Sequence, residues 1–161
     1  MSLHTTILPI GGSESLFDPV AFERILNNAL DETAKAIKID YGVTTQTWKH
    51  KPKFAIRKSG KWERIISTTD KIYGYVSEGT RPHTIRPKNA PALAFQANYK
   101  AKTIVRQVRS RQGGPSGPMV YAQEVQHPGF PGREFNKVIS EKWRKEWPTQ
   151  LGRAIATEFF K

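Results

Sequence analysis

The chain has no cysteine, which excludes disulfides and any metal centre built on thiolates. It has no apolar run near the roughly 18 residues that a membrane-spanning helix needs, so no membrane partner is expected. Its first residues, Met1-Ser2-Leu3-His4-Thr5, hold no basic segment leading into an apolar one. No secretory signal is therefore expected, and synthesis in a reducing cytoplasm is.

Negative charge is also scarce, and unevenly so. Residues 79–123 carry 8 basic side chains and no acidic one. Residues 1–40 carry 3 basic and 6 acidic, net −3, while 41–78 carry 8 and 3, net +5, and 124–161 carry 7 and 5, net +2. The formal total is +12. A 45-residue stretch of one sign attracts nucleic acid or an acidic protein face, or is simply a solvated basic surface.

What is present is enough for one domain. A chain of 161 residues buries roughly 68–70% of its unfolded surface on folding, so residues 1–161 read as a single domain with 1–17 as an N-terminal extension. Asp18 can cap a helix and Pro19 suits its first turn. Val20, Ile25, Leu26, Ala29, Leu30, Thr33, Ala34 and Ile37 then recur at helical spacing, predicting a helix over 19–39 that Gly42 stops. Strands are expected over Val43–Lys49, at Phe54–Arg57 and Trp62–Ile66 around the turn Ser59-Gly60, at Ile72–Val76 and at Ala92–Phe95. Lys102–Arg109 and Met119–Val125 read as two arms around a loop tip, Gly113-Gly114-Pro115-Ser116-Gly117-Pro118. A C-terminal helix is expected over about 133–160. Its apolar stripe is Phe135, Val138, Ile139, Trp143 and Trp147, continued by Leu151, Ile155 and Phe159, with a kink or restart at Pro148. The order predicts an α+β fold: an antiparallel sheet packed against an N-terminal helix and a long C-terminal helix, with an extended basic hairpin or loop.

Catalytic chemistry finds no foothold in the pattern. The four histidines, His4, His50, His83 and His127, show no i, i+4 pairing with another ligand type, so no metal is expected. His83 and His127 each abut a proline, which suits the ordering of a turn. No Gly-x-Ser-x-Gly elbow is present, and the Gly-rich tract lacks the Gly-Lys-Ser/Thr ending of a phosphate loop. No cofactor and no enzymatic activity are expected; a small nuclease would need an acid cluster that the central region lacks.

The sharpest feature is the basic arm at 97–118, with Lys100, Lys102, Arg106, Arg109 and Arg111. It can grip phosphates, or it can bridge to a neighbouring subunit. Tyr99 and Tyr121 are the only aromatics near it in sequence, which is thin for base stacking. With three glycines and two prolines toward its tip, it is expected to be mobile in the free protein.

The segments Tyr75-Val76-Ser77-Glu78-Gly79-Thr80-Arg81-Pro82-His83-Thr84-Ile85-Arg86-Pro87-Lys88, Ala92-Leu93-Ala94-Phe95, Val120-Tyr121-Ala122 and Val125-Gln126-His127-Pro128-Gly129 together resemble the tail-completion, or head–tail joining, family of minor virion proteins of long-tailed bacteriophages and prophages. The layout matches over roughly 18–160 and the motif residues over 75–135. The resemblance implies a structural subunit acting as a homo-oligomeric ring with other tail or neck proteins, made in the host bacterial cytoplasm and residing in the virion. It gives Gly79, Thr80, His83, Pro87, His127, Pro128, Gly129 and Phe135 structural roles. The chain departs from the family pattern in the 24 residues between Phe95 and Val120, which contain the basic arm. The other reading, from charge alone, is a basic nucleic-acid-binding module without catalysis.

Overall fold

Asp18 caps the first helix as expected, its carboxylate accepting the Val20 N–H at 2.8 Å. The computed structural model describes residues 18–104 and 106–159. Helix α1 runs Pro19–Thr44, past Gly42 and into the predicted strand 43–49, which is instead helix end and turn. The Thr44 and Thr45 hydroxyls donate to the Tyr41 and Gly42 carbonyls, satisfying groups that the last turn leaves free. Strands β1 (Ala55–Lys58) and β2 (Arg64–Ser67) form the expected hairpin.

The segment expected as a strand at 72–76 is helix α2, Lys71–Glu78. Asp70 caps it, accepting the Tyr73 N–H at 2.7 Å. Tyr73 and Ser77 face inward one turn apart, a helical rather than an alternating pattern. Four short strands and one long ribbon follow: β3 (Gly79–Thr80), β4 (His83–Ile85), β5 (Leu93–Lys100), β6 (Gly114–Ala122), β7 (Val125–His127) and β8 (Phe130–Pro131). Helix α3, Phe135–Phe159, closes the chain and runs unbroken through Pro148. That proline is solvent-exposed, so water can serve the carbonyl it leaves without a donor.

The class is α+β, as the element order predicted. The sheet, however, is four separate antiparallel pairs, β1–β2, β3–β8, β4–β7 and β5–β6. Helices α1 and α3 lie antiparallel: Arg24 pairs with Glu158 at 2.7 Å at one end, and Asp40 takes Lys142 Nζ and Trp143 Nε1, each at 2.7 Å, at the other. Ile25, Ala29, Ala34, Ile139 and Trp143 are buried. A second cluster gathers Phe54, Tyr73 and Phe135, with Tyr41, Trp48, Ile66 and Val76 packed around it. Tyr73 sits at its centre, 5.0 Å from the Phe54 ring and 5.7 Å from that of Phe135. Phe135, Ile139 and Trp143 are thus buried, as the stripe predicted.

The core is small among the described residues. Total exposed surface is 12523 Å², where a compact monomer of 18.3 kDa exposes about 8,100 Å².

Candidate functional site

The motif segments, separated by about forty residues in sequence, pair with each other. Gly79 lies opposite Pro131 and Thr80 opposite Phe130 in β3–β8, while His83 lies opposite His127 in β4–β7. Gly79 has φ 88, and a Cβ there would stand 2.6 Å from the Phe130 oxygen and the Gly132 nitrogen. Gly129 has φ 74, and its Cβ would collide with the Thr80 and Arg81 backbone. Only glycine allows the two backbones to run this close. Pro128 is exposed in the turn between β7 and β8, and Pro87 lies in the loop after β4. Phe135 anchors the unit at the start of α3, where the Arg133 and Glu134 amides donate to the Val76 and Ser77 carbonyls.

His83 and His127 stack, ring centroids 5.0 Å apart. Each also orders its turn. His83 Nδ1 donates to the Arg81 carbonyl at 2.8 Å, and His127 Nδ1 accepts the Gly129 N–H at 3.0 Å. That second bond requires a bare Nδ1 and so places the neutral ring's proton on Nε2. Among the described residues no group of three or more His, Cys, Asp or Glu is arranged to hold a metal.

The basic region is a long ribbon, β5–β6, whose strands pair with each other and, among the described residues, with no other strand. The Gly/Pro tract expected at its tip lies within β6. Gly117 and Pro118 form a bulge opposite Ala97, between the pairs Gln96–Met119 and Asn98–Ser116. Proline is tolerated here because a two-stranded ribbon has only edges. The tip is residues 101–113 instead, so Lys102–Arg109 is not a strand arm; one isolated bridge, Thr103–Ser110, crosses it. Phe95, Tyr99, Met119 and Tyr121 are exposed, Met119 at 52% and Tyr121 at 72%.

The tip folds against the body. Thr103 is only 2% exposed, and the Thr47 hydroxyl donates to the Lys102 carbonyl at 3.3 Å. Arg106 approaches Glu134 at 3.6 Å, and Arg111 Nε donates to the Ala101 carbonyl at 2.8 Å. Lys100 occupies the last rung, opposite Gly114, and the Arg109 side chain is exposed. The five basic residues therefore surround one tip rather than sharing strand faces. Between tip and body lies a cleft of about 640 Å³ whose walls include Trp48, Tyr99, Phe130, Lys49, Lys102 and Arg133. Trp48 and Phe130 lie outside the arm in sequence, and no local pattern announces that they share a cleft with Tyr99. The predicted extension 1–17 lies outside the described residues.

No protein-family description, curated protein or solved structure matches the chain.

Proposed function

We propose that the chain is a non-enzymatic structural subunit of a bacteriophage or prophage virion, a tail-completion or head–tail joining protein that works as a ring during assembly. Its partners are copies of itself and other tail or neck proteins. It is made in the host bacterial cytoplasm and ends in the virion. The motif residues support this reading, because the segments carrying the resemblance pair with one another, in β3–β8, β4–β7 and β5–β6.

The observation that carries it is the β5–β6 ribbon. A two-stranded ribbon is marginal by itself, and its edges offer backbone groups to another chain. This one also exposes Met119 and Tyr121, which alternate on the same face. A ring subunit has two neighbours, and each standard interface covers about 800 Å² per partner.

The test is complementation of a phage lacking the gene, with joined particles counted by electron microscopy. Wild type restores joining. Met119→Ser with Tyr121→Ser folds normally but yields separated heads and tails. Normal particle counts from that double variant would refute the ribbon as the joining surface.

A further inference from the structure

The cleft beneath the ribbon tip has a composition that an assembly role does not require. Its walls bring three aromatic rings, Trp48, Tyr99 and Phe130, together with three cations, Lys49, Lys102 and Arg133. No carboxylate lines it. Its volume of about 640 Å³ falls within the 300–1,000 Å³ range of small-ligand sites. Tyr99 stands 68% exposed at its mouth, an open face of the kind a flat ring would cover. Lys102, Arg109 and Arg111 extend the positive charge from the cleft along the tip, while Arg106 faces Glu134 at 3.6 Å.

We propose that this cleft binds single-stranded nucleic acid, seating one unstacked base among Tyr99, Trp48 and Phe130 and its flanking phosphates against Lys49, Lys102 and Arg133. Aromatic platforms beside a cationic track are how sequence-tolerant single-strand binders work: every base has a face to stack, and every link carries one negative charge. A duplex offers the charge but keeps its bases stacked. An acidic peptide offers the charge without a flat ring. The cleft favours the ligand that supplies both. In sequence, Tyr99 and Tyr121 alone make a poor stacking site; the fold adds Trp48 and Phe130 to Tyr99 and leaves Tyr121 outside the cleft walls.

The test is fluorescence anisotropy on the full chain with a short labelled oligothymidylate, a duplex of equal length, and polyglutamate as competitor. The single strand binds more tightly than the duplex, and polyglutamate displaces it poorly. Tyr99→Ala, at an exposed position that leaves folding intact, weakens binding at least about fivefold, the low end of the loss of one stacking ring. The same variant leaves the salt dependence unchanged. Lys102→Ser lowers the log–log salt slope by about 0.7, one phosphate on a single strand. Binding quenches tryptophan fluorescence, and Trp48→Phe removes the share of the quenching that arises in the cleft. Equal affinity for duplex with Tyr99→Ala unaffected means charge alone, and overturns the cleft as a base site. Displacement by polyglutamate at equal charge overturns it in favour of an acidic protein face, and absence of binding at low salt also overturns it. The assay uses no assembled particle, so its failure leaves the ring reading standing, and failed complementation leaves the cleft standing.

Discussion

Gly129 and Gly60 share one backbone angle, φ 74, yet differ in what a side chain would meet. Gly60 opens onto nothing within 4 Å, whereas Gly129 abuts the backbone of Thr80 to Pro82. Alanine at Gly60 bears only the left-handed cost, about 1 kcal/mol. At Gly129 it bears that cost and must also push apart a pair of bonded strands, so we expect at least about 2 kcal/mol. In melting temperature the Gly129→Ala loss is about 4–8 °C, and an equal shift for both variants would show that the backbone contact is soft. Asp70 offers a second residue-scale test. The Tyr73 amide, and then the His50 side chain, hold its carboxyl below the ordinary 3.8. A carboxylate depressed in the folded state contributes stability above its unfolded value, and that contribution is lost as pH falls through the folded value. Asp31, held down by Arg64 and Lys58, has the same sign. Stability should therefore fall as pH drops below about 4, and Asp70→Asn should be less stable at neutral pH with a flatter acid limb in urea titrations.

Elements were legible where periodicity was long and misread where it was short. Helices α1 and α3 each show many turns of apolar spacing, and Phe135, Ile139 and Trp143 are buried as that spacing required. Ile72–Val76 is five residues, too few for alternation and helical spacing to be told apart; Asp70 ahead of it was the readable cap. The Gly/Pro tract was assigned to a turn by composition, but a ribbon without neighbours accepts proline and takes up the extra residue as a bulge. The motif glycines were expected to be structural, but the backbones they face were not legible. The cleft was invisible because its walls come from α1's end, the ribbon and the approach to α3. The β1–β2 hairpin supplies the test at this scale. Arg64, its side chain 4% exposed, holds Asp31 of α1, which also takes Lys58 at 2.9 Å. Asp31→Ala removes the carboxylate partner of a buried guanidinium that keeps its bonds to Asn27 and the Glu63 carbonyl, and should cost about 1.5–3 kcal/mol. Hydrogen exchange should quicken in Ile56–Lys58 and Arg64–Ile66 while α1 and α3 stay protected; uniform loss of protection would mean that the hairpin is not a separately opening unit.

For the whole molecule, the question is what covers the surplus surface. Among the described residues two modest clusters, one around Tyr73 and one between α1 and α3, supply the apolar burial that opposes the entropy of ordering the chain. Among the described residues the ribbon's strands hydrogen-bond to no third strand. If neighbours supply the missing burial, stability depends on protein concentration, because association stabilises the folded form by mass action. Melting temperature should rise as the isolated protein is concentrated, and mass by light scattering should rise with it. Met119→Ser with Tyr121→Ser removes exposed side chains and so should leave the dilute-limit melting temperature within the spread of ordinary surface changes, about 0.5 kcal/mol each. It should abolish the concentration dependence. A melting temperature independent of concentration in the wild type, with a monomeric mass throughout, would place the burial elsewhere and require a different partner to cover the ribbon in the assembled particle.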